Sequence, residues 1–137
     1  MTSLTNNAKA VRALDHAQIT STATGDTIDC AGYSQVDFFL HTTAAGGADG
    51  SNYFTSKVYE GDASNMSDEA EITDTKRISG TKTVFNDATN QADAVNKFGV
   101  AVGVKRYMRL KLAETGTADL TVNAIALLTP PGASPVA

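Results

Sequence analysis

The sequence predicts an all-β protein, a single antiparallel sandwich or barrel domain of about seven or eight strands. Three observations predict it. Short segments with period-two alternation recur along the chain, separated by Gly, Asn, Asp, Ser and Thr. Their spacing of roughly 8–15 residues suits strands joined by turns rather than βαβ units. β-branched residues are common and helix formers are scattered, which favours pleated, half-buried surfaces. The length of 137 residues suits one domain. A chain of that size buries roughly two-thirds of its unfolded surface without a metal or disulfide.

The elements follow in order. Residues 1–15 are polar with a few small apolar positions. They read as an N-terminal arm, with a short helix capped by Asn6 or Asn7 as the alternative. A first strand is expected over 16–22, then a turn at Gly25-Asp26 and a short second strand, Thr27-Ile28-Asp29-Cys30. Ala31-Gly32-Tyr33 interrupts it. The third strand, 35–42, is the clearest of the first half. Val36, Phe38 and Leu40 share one face, and Asp37, Phe39 and His41 the other. The Gly- and Ala-rich segment 44–51 is a loop. A fourth strand over 53–60 sets Phe54, Ser56 and Val58 against Tyr53, Thr55, Lys57 and Tyr59. An acidic stretch follows. Glu60, Asp62, Asp68, Glu69, Glu71 and Asp74 occur with no Lys or Arg among them. Ile72 anchors a short strand there, 83–85 is another, 87–96 is a polar loop or one helical turn, and 97–103 is a strand.

The stretch 104–129 closes the domain. Met108, Leu110 and Leu112 alternate with Tyr107, Arg109 and Lys111, so an apolar face backs a cationic one. After the turn signal at 114–119, the segment 120–128 begins alternating and ends nearly all apolar. That is how a strand reads when both its faces are covered. The two halves are expected to pair as a long β-hairpin about a turn of roughly five residues. Pro130 and Pro131 end the ladder and open a Pro-rich tail, 130–137, leaving 16–129 as the sandwich domain.

Charge and cysteine usage bound the function classes. Eleven Lys plus Arg against 15 Asp plus Glu give a net charge of −4. Such a chain is a poor candidate for neutralising nucleic-acid phosphates. Cys30 is the single cysteine, so no internal disulfide is expected. The N-terminus lacks the basic-then-apolar pattern of a signal peptide. No apolar run approaches the roughly 18 residues of a membrane helix. Synthesis in a cytoplasm and no membrane partner are the resulting expectations.

Chemical motifs are weak. Gly32-Tyr33-Ser34-Gln35-Val36 resembles a nucleophile elbow, but Val36 stands where a second Gly belongs. Cys30 with His16 or His41 has nothing adjacent to lower the thiol pKa, so a small buried Cys is expected. Asp49-Gly50-Ser51-Asn52 and the acidic stretch miss the Ca²⁺ loop pattern. Gly80-Thr81-Lys82-Thr83 lacks the glycines of a phosphate loop. No catalytic residue, metal or cofactor is expected, and the protein is expected not to be an enzyme. The row Lys105, Tyr107, Arg109 and Lys111 is either a solvated sheet face or a contact surface for an acidic patch on another molecule. The 60–74 loop of another copy is one candidate for that patch.

The segment Gly103-Val104-Lys105-Arg106-Tyr107-Met108-Arg109-Leu110, a Thr-Gly turn, an apolar strand and the Pro-rich tail together carry a family resemblance. Gly32-Tyr33 before the strand 36–40 and Tyr59-Glu60-Gly61-Asp62-Ala63-Ser64 add to it. The chain resembles the small decoration, or cement, proteins of tailed-bacteriophage heads over about 25–136. It departs at Pro130-Pro131, where His-Pro is common, and in the first 15 residues. The resemblance implies a jelly-roll-like β-sandwich on the outside of the capsid, made in the host bacterium. Its partners would be the major capsid protein and itself, as homodimer or homotrimer. Candidate contact residues are Lys105, Tyr107, Arg109, Lys111, Pro130 and Pro131. The arm and tail are the candidate gripping segments. The other class considered is a carbohydrate- or receptor-binding sandwich of a phage tail or fibre. In that case Tyr33, Tyr53, Tyr59 and Tyr107 would be stacking platforms.

Overall fold

In the computed structural model, which describes residues 7–88 and 93–132, the alternating segments become strands that each bury one face. β1 (Lys9–Ile19) is followed by the fragments β2 (Ala23–Thr24) and β3 (Ile28–Asp29). β4 (Gln35–Ala44) turns Val36, Phe38, Leu40 and Thr42 inward. β5 (Tyr53–Gly61) does the same with Phe54, Ser56 and Val58. β6 (Ala70–Glu71), β7 (Ile78–Ser79) and β8 (Val84–Phe85) are two-residue fragments, with a single 3₁₀ turn at Thr75–Arg77. β9 (Ala94–Ala101), β10 (Tyr107–Thr115) and β11 (Leu120–Thr129) complete the chain. The largest core side chains, Phe38, Phe54, Phe85, Leu40, Leu110 and Leu112, are fully buried. Phe38 stacks on Phe98 with ring centroids 5.4 Å apart.

Two sheets face each other across this core. The first has the order β1-β11-β4-β9-β7. The second runs β2-β10-β5-β6, with β3 also on β10 and β8 also on β5. Every strand pair is antiparallel. The pairing is nested. β1 pairs with β11, β2 and β3 with β10, β4 with β9, and β5 with β6 and β8. The chain is therefore one long hairpin rolled up on itself, which is the jelly-roll sandwich. The expected fold class holds.

Three expectations need correction. β10 and β11 do not pair as a hairpin; they lie in different sheets. Each carries a complete apolar face, Met108, Leu110 and Leu112 on one and Leu120, Val122, Ala124, Ala126 and Leu128 on the other. These faces meet across the interior, so the strands stack instead of sharing an edge, and residues 116–119 cross between the sheets. The first strand begins at Lys9, so residues 9–15 of the expected arm belong to the sandwich. Ala13 and Leu14 are buried there, but register breaks between Arg12 and Leu14 and between Leu14 and Ala17 destroy the alternation a sequence reader counts. The outer face of β11 is open, with Ile125 48% exposed, where a strand covered on both sides was expected. Residues 1–6 of the arm, 89–92 of the polar loop and 133–137 of the tail lie outside the described residues.

Gly25 joins the two sheets at one edge. Its N–H donates to the Leu110 carbonyl (2.8 Å), and the Asp26 N–H donates to the Ala13 carbonyl (2.9 Å). A Cβ at Gly25 would sit 2.2 Å from the Ala13 carbonyl oxygen, so only glycine fits.

Candidate functional site

The cationic row lies on the outer face of the second sheet, and its partners come from this same chain. In the β10–β5 register Lys111 stands directly opposite Lys57. Like charges in that position repel. The acidic stretch removes the conflict by folding over the face. Arg109 Nε donates to Glu69 Oε2 (2.6 Å), and Lys111 Nζ hydrogen-bonds Glu69 Oε1. Glu71 lies 3.8 Å from Lys57 Nζ and 3.7 Å from Lys82 Nζ. Lys105 Nζ donates to Asp62 Oδ2 (2.6 Å). Arg77 forks onto both oxygens of Glu60 (2.9 and 2.7 Å). Tyr107 is covered by the Arg106 guanidinium, 5.2 Å from its ring centroid. The expected cationic row and the expected acidic partner are thus brought together within one molecule.

The loop that does this is held by its own geometry. Gly61 is buried and lets the Asp68 carboxylate approach; a Cβ there would meet Asp68 Oδ1 at 2.5 Å. Asp68 accepts from the N–H groups of Asp62 (2.9 Å) and Ala63 (3.1 Å), closing the loop. Those bonds hold its carboxyl below the usual range. Met66 is 2% exposed and has φ of 59°, a left-handed conformation that costs a side-chain-bearing residue about 1–2 kcal/mol. Burial of its side chain offsets that cost and pins the loop. The Arg109 hydrogen bond depresses the Glu69 carboxyl, and Asp62 raises the Lys105 ammonium. At the neighbouring edge Arg106 and the Ala31 N–H lower the Asp29 carboxyl to about 2.

The outer face of the first sheet is different. One cross-strand row reads Arg12, Ile125, Phe39 and Lys97 from β1 to β9. Leu127 sits diagonally beside Phe39, and Val95, 70% exposed, lies two residues from Lys97 on the same strand. Beside the row lies a notch of about 350 Å³ lined by Asp37, Phe39, Ser79, Gly80, Lys97 and Gly99. A Cβ on Gly99 would meet only side-chain ends, Gln35 Nε2 (2.3 Å), Asp37 Oδ1 (2.4 Å) and Ser79 Oγ (2.5 Å). Sequence reasoning missed this surface. The signal was there: Phe39, Ile125 and Leu127 are apolar at positions that alternate with the core set.

The remaining candidates are occupied. Cys30 is buried, its thiol donates to the Ile28 carbonyl (3.7 Å), and burial pushes it up to about 11. His41 faces outward beside Asp93 (3.5 Å), and His16 is exposed on β1. Ser34 Oγ donates to the Thr129 carbonyl (3.3 Å). Asp49 accepts from Ser51 and Asn52 N–H groups of its own turn (2.7 and 2.8 Å). Among the described residues no group of three or more His, Cys, Asp and Glu is placed to hold a metal ion. No helix among them is long and apolar enough to cross a membrane. The Tyr59 ring is capped by Lys111 Nζ at 4.4 Å, and Tyr33 packs on the core, so neither is an open stacking platform. Pro130 is half-buried and Pro131 exposed at the end of β11.

No protein-family model matches the chain, and no curated protein matches it. Solved structures do. The SPBc2 prophage-derived protein YomS is 13% identical over 88% of this chain and 93% of its own, with a TM-score of 0.46. The infectious bursal disease virus Gx strain structure is 12% identical over 93% of this chain, with a TM-score of 0.49. The infectious bursal disease virus VP2 subviral particle is 12% identical over 93% of this chain, with a TM-score of 0.52. The chain spans about a third of the length of the two bursal disease virus chains, 33% and 34%. At that identity the likeness to the subviral particle is one of fold, and it agrees with the nested strand order: this antiparallel sandwich is similar to one that a virus particle also uses.

Proposed function

We propose that this chain is a structural protein of a bacteriophage particle, a decoration protein that binds the outside of the major capsid shell and bridges neighbouring subunits. The observation that carries this reading is the jelly-roll strand order, an architecture found in viral shells. Fold alone does not assign function. The resemblance of 103–110, the apolar last strand and the Pro-rich tail to phage-head decoration proteins supplies the specific direction. Each copy makes modest contacts, and repetition over the shell turns them into strength. No turnover, cofactor or nucleic acid takes part. Self-association beside the shell contact is included. Pro130 and Pro131, where the chain leaves β11, remain contact candidates. Lys105, Tyr107, Arg109 and Lys111 act as a structural face closed by the 61–72 loop, and touch a partner only through what that loop leaves uncovered.

The test is co-sedimentation. Purified protein is mixed with heads of its own virus assembled without it, over a range of salt. Saturation at a fixed ratio to the major capsid protein is expected. Protein that stays in the supernatant at every ionic strength overturns the proposal.

A further inference from the structure

We propose that the notch on the outer face of the first sheet, between Asp37, Phe39, Ser79 and Lys97, is a binding site for a neutral pyranose ring. This goes beyond the decoration reading and does not depend on it.

Three strands build the notch. Gln35, Asp37 and Phe39 alternate along β4 and so share its outer face. Asp37, Gly99 and Ser79 form one cross-strand row, and Phe39 and Lys97 stand together in the next. Gly99 is the centre of the first row. A Cβ there would meet Gln35 Nε2 at 2.3 Å, Asp37 Oδ1 at 2.4 Å and Ser79 Oγ at 2.5 Å, so the glycine allows three polar ends to converge above it. Gln35 Nε2 donates to Asp37 Oδ1 (3.3 Å) and to Ser79 Oγ (3.4 Å), which holds both in place. Asp37 Oδ2 and Lys97 Nζ have no ion pair or hydrogen bond among the described residues. The notch thus combines an aromatic wall with a few convergent polar groups, the usual make-up of a small-ligand site.

The same groups select the ligand. Phe39 offers an apolar ring against which the C–H face of a sugar can lie. The unpaired Asp37 oxygen accepts hydrogen bonds, and Lys97 donates them. A hydroxyl does both, so neighbouring hydroxyls on one ring satisfy the carboxylate and the ammonium together. A purely apolar ligand would strip water from both charges and pair neither. A cationic ligand would meet Lys97 and an anionic one Asp37, each with like charge against it. The two charges cancel, which leaves a neutral, hydroxyl-rich ring as the match. A notch of about 350 Å³ is small for a ligand site, and Ser79, Gly80 and Lys97 are exposed at its rim. It therefore takes a single ring, with a dissociation constant on the order of 1 mM.

The experiment titrates the isotope-labelled full chain with the methyl pyranosides of glucose, galactose and mannose and with N-acetylglucosamine, and follows the backbone amide signals by NMR. Saturable shifts centred on Asp37, Phe39, Ser79, Lys97 and Gly99 are expected with at least one of these sugars. Asp37→Asn removes the charged acceptor and should weaken binding about tenfold. Phe39→Leu keeps the apolar bulk but loses the ring and should weaken it several-fold. Both side chains lie on the outer face of β4, so both variants should melt close to wild type. Thr55→Ala, on the outer face of the second sheet, should bind within about twofold of wild type. The absence of saturable shifts with every sugar overturns the proposal. So does tighter binding of glucuronate, glucosamine or a free amino acid than of the neutral sugars, because the notch would then select charge. Shifts that persist unchanged in both Asp37→Asn and Phe39→Leu overturn it too, since the sugar would then sit elsewhere. None of these results bears on shell binding, which co-sedimentation tests separately.

Discussion

Replacing Gly25 by Ala probes the joint between the sheets. The added Cβ would lie 2.2 Å from the Ala13 carbonyl oxygen and 2.8 Å from that of Leu110. Both are backbone atoms, in β1 and β10, so no rotamer change relieves the contact. Non-bonded carbons sit about 3.5 Å from their neighbours, so β1 must retreat by about 1 Å. Overpacking of this kind costs about 1–3 kcal/mol. The retreat also stretches the Gly25–Leu110 (2.8 Å) and Asp26–Ala13 (2.9 Å) hydrogen bonds. Each is worth about 1 kcal/mol. A loss of about 2–4 kcal/mol is expected, lowering the melting temperature by on the order of 10 °C. Gly50→Ala is the control, because nothing lies within 4 Å of where its Cβ would sit. It is expected to be neutral or to stabilise by up to about 1 kcal/mol. Thermal unfolding followed by circular dichroism, with urea unfolding in parallel, measures both. A Gly25→Ala protein that melts within about 2 °C of wild type would refute the claim that this contact locks the sheets.

Three further outcomes are expected. Thr42 is fully buried, and its hydroxyl has no hydrogen-bond partner among the described residues. Thr42→Val should therefore raise stability by about 1 kcal/mol in urea unfolding, and a loss would mean the hydroxyl is satisfied. Glu69 has a folded-state pKa below its ordinary 4.5 because Arg109 and Lys111 bind the carboxylate. Its contribution is present above the unfolded value and disappears as pH falls through the folded one. Glu69→Gln should lower stability at neutral pH by about 1–2 kcal/mol and flatten the acid limb below about pH 5; an unchanged limb would mean that Glu69 does not fasten the loop. Cys30, buried with its thiol pushed up to about 11, should resist an aromatic disulfide reagent at pH near 8 and react fully in denaturant; rapid native-state labelling would show an open edge at β3.

The long inner strands were legible because period two survives in them. β4, β5 and β10 bury the residues their alternation marks, and their limits shift by no more than a few positions. Only the end of β1, 16–19, was legible; its first part was not, because bulges on either side of Leu14 break the period over its apolar residues. The two-residue strands β2, β6 and β7 are too short to carry a period at all; pairing with a longer neighbour makes them strands. The supposed hairpin shows a different limit. Short separation in sequence and matched alternation suit edge-to-edge pairing and face-to-face stacking equally well. Only competition for partners decides between them: β11 takes β1 and β4, while β10 takes β5 and the β2–β3 edge. That information is spread over the whole chain. At the candidate site, the cationic row and the acidic stretch were both visible, and so was their complementarity. Whether they meet within one molecule was not.

That last point has a physical consequence for binding. A cationic strand face opposite another lysine strand is unfavourable unless anions cover it, and the chain supplies its own at 61–72. Glu69 with Arg109 and Lys111 are each only 19% exposed, so an acidic partner would have to displace an intramolecular carboxylate already in place. The exchange swaps one ion pair for another and gains little, since such pairs in water are individually worth about 0–1 kcal/mol. Apolar surface still in contact with water has no such competitor. Covering Ile125, Phe39, Leu127 and Val95 removes it from water once, at about 25 cal/mol for each Å² buried. The charged face is thus satisfied within the molecule, while Ile125, Phe39, Leu127 and Val95 on the outer face of the other sheet stay partly in contact with water.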